Sequence, residues 1–120
     1  MKPTDSEMEI LQILWEQGES SVRTVHEMLN RKDVGYTTTL KLMQIMYEKG
    51  MVSRDTSSKT HVYKALLSKE QTQHQFLTRM IDTVYNGSTA RLVMQALGNN
   101  RTSKEEIDLI KAYLKQLENS

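Results

Sequence analysis

Thr37, Lys41, Gln44 and Glu48 recur at i, i+4, i+7 and i+11, a spacing that puts four hydrogen-bonding side chains on one helix face. Such a face offers hydrogen-bond donors and acceptors, and the chemistry that suits it is recognition. A lysine can donate to guanine O6 and N7, and a glutamine can pair bidentately with adenine N6 and N7. Tyr36, Thr37 and Thr38 stand at the head of the same segment, where hydroxyls and free helix-start N–H groups suit a phosphate. Arg54, Lys59 and His61 follow on a hairpin of two β-rich runs and a polar tip, within reach of flanking phosphate or a minor groove. A solvated surface explains each of these side chains singly. Grouped on one helix face and one adjoining hairpin, they point to DNA.

Something must hold that face outward. Leu42, Met43 and Met46 form an apolar stripe on the same segment, and Gly50 stands where a helix C-terminal glycine belongs. Upstream, Thr4 and Glu7 have capping-box spacing and open a helix carrying Met8, Leu11, Leu14 and Trp15, which Gly18 ends. Ser20 or Ser21 caps a second helix with Val22, Val25 and Leu29 on one face, and a polar connection from Asn30 to Gly35 follows. After Gly50, MVSRD and HVYKA flank the polar tip Thr56-Ser57-Ser58-Lys59-Thr60, the pattern of a hairpin. Three helices and a hairpin are the chain order of a winged helix-turn-helix with a small two-stranded wing, expected over residues 1–67.

Residues 68–120 carry only helix signals, so the whole is mainly α. Ser68 and Gln71 open a long helix with Phe76, Leu77, Met80, Ile81, Val84 and Tyr85, broken at Asn86-Gly87. Ser88 starts a shorter helix with Leu92 and Val93, running to Leu97 before Gly98-Asn99-Asn100. Ser103 and Glu106 cap a last helix with Ile107, Ile110, Leu114 and Leu117. A three-helix segment this small leaves such stripes exposed unless something covers them, and a second copy of the chain is the expected cover.

Composition narrows the class. The chain has 120 residues, 38% of them apolar and 26% charged, with no cysteine for disulfides or thiolate metal sites. No run of eighteen apolar residues could span a membrane. The acidic start MKPTDSEMEI is unlike a signal peptide, so a cytoplasmic location is expected. The net charge of +1 conceals a division: residues 1–30 carry −4, and residues 31–64, which hold the recognition candidates, carry +4.

SEMEILQILWEQGESSVRTVHEML, with Glu9 and Leu14-Trp15, resembles the opening of the BlaI/MecI family, the penicillinase and methicillin-resistance repressors. TTTLKLMQIMYEKGMVSRD is similar to that family's recognition helix, Lys-Gly stop and wing strand at Thr38, Leu42, Lys49, Gly50, Val52 and Arg54. VYNGSTARLVMQAL and TSKEEIDLIKAYL resemble the ends of its dimerisation region. The resemblance implies a cytoplasmic homodimer that binds inverted-repeat operator DNA, takes no cofactor and is no enzyme. It also implies inactivation by cleavage within the C-terminal region, triggered through a membrane-bound sensor metalloprotease system. Two regions depart from the family. Ile45 stands where the family usually carries an arginine and Leu40 where it often does, and both could touch thymine methyls or pack under the wing. Gln95-Ala96 stands where well-studied members have the cleaved Asn-Phe bond.

The rivals are a metal- or ligand-responsive regulator on the same fold and a winged-helix module that binds protein. Metal-sensing relatives use C-terminal cysteines, which this chain lacks, and His26, His61 and His74 fall in three different elements without ligand spacing. His26 reads as a helix-surface residue. No G-x-S-x-G, H-E-x-x-H or glycine-rich phosphate loop supports a hydrolase.

Overall fold

Apolar side chains from three short helices and a hairpin converge on one core in the first half of the chain. The structure, a computed structural model, describes residues 2–99 and 101–120. Asn100, the last residue of the expected break after Gly98, lies outside the described residues. The chain divides by its contacts into two compact units, residues 1–76 and 77–120.

In the first unit α1 spans Asp5–Gln17, β1 Ser20–Ser21, α2 Val22–Leu29, α3 Tyr36–Glu48, β2 Val52–Asp55 and β3 Val62–Ala65. The capping box forms as spaced: the Thr4 hydroxyl accepts from Glu7 N–H at 3.2 Å, and the Glu7 carboxylate accepts from Thr4 N–H at 2.9 Å. Ser21 caps α2, accepting from Thr24 N–H at 3.1 Å. Gly50 follows the α3 cap residue Lys49 at φ 81°, a left-handed conformation that a side chain would strain.

The buried core takes Ile10, Leu11 and Leu14 from α1, Val22 and Val25 from α2, Met43 and Met46 from α3, and Met51, Val52 and Tyr63 from the sheet region. Two details differ from the sequence reading. Leu42 is half-buried rather than central, and the inner face of α3 is completed by Thr39, which is fully buried. The wing is also part of a three-stranded sheet in the order β1-β3-β2, because Ser20 and Ser21 pair with Tyr63 and Val62. Two serines are too short a run to show strand periodicity. Trp15 Nε1 donates to the Leu67 carbonyl at 2.9 Å, tying the chain beyond the hairpin to α1.

Three further helices follow: α4 spans Lys69–Thr83, α5 Thr89–Leu97 and α6 Lys104–Glu118. Ser68, Ser88 and Ser103 each accept a backbone N–H three residues on, so all three serine caps form. The α4 exit uses left-handed Asn86 and Gly87, at φ 53° and 84°. Within the second unit, α5 and α6 bury no residue. No helix among the described residues is long and apolar enough to cross a membrane.

Candidate nucleic-acid interface

The interface is built on α3. Thr39, Met43 and Met46 point into the core, so the opposite side carries Thr37, Lys41, Gln44 and Glu48, all four exposed as the spacing requires. The N-cap of α3 is Gly35, which has no side chain to cap the helix, so the N–H groups of Tyr36 and Thr37 are open to an anion, while that of Thr38 donates to the Gly35 carbonyl at 3.1 Å. Thr37 and Thr38 are exposed beside them.

The third threonine has a different role. Thr39 Oγ1 lies 2.8 Å from Nδ1 of His26, a hydrogen bond that joins α3 to α2. His26 is therefore half-buried between the two helices and not the plain surface residue its sequence neighbours suggest. Its ring also meets Tyr36 edge to face, with centroids 5.9 Å apart.

The candidate residues fall into two depressions that flank α3. One, of about 360 Å³, brings Tyr36, Leu40 and Gln44 together with Lys59 and His61 of the hairpin. Arg23 of α2 lines it too, a residue that no spacing in the sequence singled out. The other, of about 300 Å³, is shallow and gathers Thr37, Thr38, Lys41 and Ile45 around Leu42. Leu40 and Ile45, where the family resemblance leads one to expect arginines, are both half-buried and line opposite flanks.

Arg54 lines neither depression. Its guanidinium lies over the ring of Tyr47, 4.1 Å from the centroid, and its Nε is buried with no hydrogen-bond partner among the described residues. Arg23 makes a matching contact with Tyr36 at 5.0 Å. Tyr47 was also missed by sequence reasoning, although its i+11 offset from Tyr36 places the two on the same side of α3.

Two carboxylates shape the surroundings. Burial pushes the Glu7 carboxyl up, but the Thr4 N–H and the Lys49 ammonium at 2.9 Å outweigh it and hold its pKa below the ordinary value. This pair fastens the C-terminal end of α3 to the start of α1. Asp55 ends β2 and accepts from Ser57 N–H at 2.9 Å, which lowers its pKa and sets the turn that presents Lys59. Among the described residues, no group of three His, Asp or Glu side chains could hold a metal ion.

The dimerisation candidates lie in α4, α5, α6 and the turn after α4. Leu77, Met80, Val84, Val93, Leu114 and Leu117 are exposed, while Phe76, Ile81, Tyr85, Leu92, Ile107 and Ile110 are half-buried. In the second unit α5 and α6 enclose a groove of about 590 Å³ with an almost wholly apolar lining. Leu109 and Tyr113, absent from the expected stripe, line it and are 71% and 60% exposed. Gln95 and Ala96 are both exposed near the end of α5, and Ala96 lines the groove.

The penicillinase repressor family model matches residues 3–116. The methicillin resistance regulatory protein MecI of Staphylococcus aureus is 24% identical over 92% of this chain and 91% of its own length. The penicillinase repressor of Bacillus licheniformis is 24% identical over 97% and 91%, and the transcriptional regulator BlaI of Mycobacterium tuberculosis 26% over 95% and 83%. Among solved structures, a MarR family protein from Bacillus stearothermophilus shares the fold, with a TM-score of 0.52 at 23% identity over 97% of this chain and 73% of that one. An open-ended helix with an outward polar face, a hairpin of cations beside it and a family match along nearly the whole chain agree: the chain belongs to the penicillinase repressor, or BlaI/MecI, family of transcriptional repressors.

Proposed function

We propose that the chain represses transcription as a homodimer on an inverted-repeat operator, with α3 in the major groove and the hairpin on the adjoining backbone. The observation that carries this reading is the face of α3. Its base-reading candidates Lys41 and Gln44 are exposed beside an uncapped helix start, and both flanks are lined by further candidates. Residues 1–67 hold every proposed DNA contact: Tyr36, Thr37, Thr38, Leu40, Lys41, Gln44, Ile45, Arg54, Lys59 and His61.

Residues 68–120 are the proposed dimerisation region. The apolar groove between α5 and α6 and the exposed α4 side chains support it, because such surface is normally covered by a partner. Release follows cleavage in α5, at or near Gln95-Ala96, through a membrane-bound sensor protease system, which places the repressor in the cytoplasm. Footprinting of the purified chain on its own upstream DNA tests the proposal. Protection of two symmetric half-sites, with affinity falling steeply as salt rises, is the expected result. Binding that ignores salt or sequence would favour a protein-binding module.

A further inference from the structure

We infer that Tyr36 and Tyr47 are positioning residues, which hold the guanidinium groups of Arg23 and Arg54 as ligands for DNA backbone phosphates near the two ends of α3. The inference rests on the DNA-binding reading above and names a device within it.

The cations of the first unit differ in what holds them. Arg31 pairs with the Glu9 carboxylate at 3.2 Å and Lys49 with Glu7 at 2.9 Å. Neither Arg23 nor Arg54 has a carboxylate within ion-pair distance among the described residues; each lies over a tyrosine ring instead. The distinction has chemical consequences. A carboxylate neutralises a cation and competes with phosphate for its N–H groups. An aromatic face orients the planar guanidinium through its quadrupole and leaves both charge and N–H edge available. Arg31 and Lys49 are thus committed to the fold, whereas Arg23 and Arg54 are oriented and electrostatically unspent.

Placement supports the same role. Tyr36 and Tyr47 are the first and next-to-last residues of α3 and share one side of it, about 16 Å apart along the axis. They bracket the level of Lys41 and Gln44, where bases would be read. Arg54 has its Nε sealed by burial while the residue as a whole is only half-buried, which leaves the terminal nitrogens as the donors that a phosphate would meet. Arg23 is exposed and lines the same depression as Lys59 and His61, so three basic side chains converge there.

The test is the salt dependence of binding, measured on a duplex from the chain's own upstream region and on a mixed-sequence duplex of equal length. Tyr36→Leu and Tyr47→Leu should each lower the slope of log affinity against log salt by about one on both duplexes. That shrinks the affinity loss between 50 and 200 mM salt by about fourfold per variant. Tyr36→Phe and Tyr47→Phe, which keep the ring, should retain the wild-type slope, whatever affinity Tyr36→Phe loses with its own uncharged hydroxyl contact. Arg23→Gln and Arg54→Gln should match the leucine variant of their own tyrosine, and the Tyr47→Leu/Arg54→Gln double variant should lose no more than either single one. The arginine variants carry the test if a leucine variant melts early. Wild-type slopes in the leucine or arginine variants would overturn the inference. A slope lost in the phenylalanine variants would overturn it too, because the ring alone would then not be what holds the arginine. If the wild-type chain binds neither duplex, the DNA reading itself fails.

Discussion

Lys41 and Gln44 are exposed on α3 and their side chains make no hydrogen bond to the described residues, so replacing them should disturb only what those side chains touch outside the chain. Lys41→Ala and Gln44→Ala should each weaken binding to the operator by about 1–3 kcal/mol, the range for one good base contact. A mixed-sequence duplex should register much less of this loss. Titrations on the two duplexes check it, and unchanged operator binding in both variants would move the recognition face elsewhere. Lys49 is the contrasting case, a cation whose work is internal. Removing it in Lys49→Met leaves the Glu7 carboxylate buried without its ammonium partner. The expected cost at pH 7 is about 1–2 kcal/mol of folding stability, kept modest because the lysine end is in solvent. The pH dependence has a definite sign. The folded pKa of Glu7 lies below its ordinary value of 4.5, so its stabilisation is complete above that value. It is lost as the pH falls through the lower, folded one. Denaturant unfolding of wild type and variant should therefore show a gap that is wide at neutral pH and closes in acid.

At the scale of elements, nearly every helix boundary was legible because the signals are local: a serine or threonine cap, a glutamate three residues on, a glycine or asparagine at the end. The interior partners were not legible, because they depend on contacts between elements. Three consecutive threonines look alike as text, yet Thr37 and Thr38 are exposed while Thr39 is buried against His26. The helical period aligns Thr39 with Met43 and Met46, but only the packing of α2 on α3 supplies the partner that its hydroxyl meets. The same holds for Ser20 and Ser21, whose pairing with β3 no two-residue pattern could announce, and for Arg23 and Tyr47, which matter through the rings or cations laid against them. The aligned candidates on α3 were legible, since the helical period alone places Thr37, Lys41, Gln44 and Glu48 together. Thr39→Val tests the α2–α3 contact with almost no change of shape. It removes the oxygen that His26 Nδ1 meets and should cost about 1 kcal/mol in thermal or denaturant unfolding. A variant as stable as the wild type would mean that the imidazole finds water instead.

For the whole molecule the open question is how repression ends, and the second unit suggests a physical route. Every proposed DNA contact precedes residue 68, so a cut at Gln95-Ala96 would spare recognition and remove α6. The bond lies inside a helix, so a protease needs α5 to unwind locally first; the exposure of both residues and the glycine at the helix end make that opening inexpensive. The lost helix carries Leu109, Tyr113, Leu114 and Leu117, each more than half exposed in the chain alone. Covering what remains exposed would release roughly 1 kcal/mol per side chain. Four such side chains on one protomer amount to about 4 kcal/mol, or about three orders of magnitude in the dimer dissociation constant, before their counterparts on the second copy are counted. A dimer weakened that far separates at cellular concentrations, and each half then binds its half-site without the high effective concentration that pairing supplies. A foreign protease site placed at Gln95-Ala96 makes the event controllable. Before cutting, sedimentation should report a dimer and footprinting two protected half-sites. After cutting, the N-terminal piece should sediment as a monomer, bind the operator far more weakly, and retain the wild-type preference for its half-site. A cut protein that stays dimeric and bound would exclude loss of pairing as the switch and favour release by a ligand.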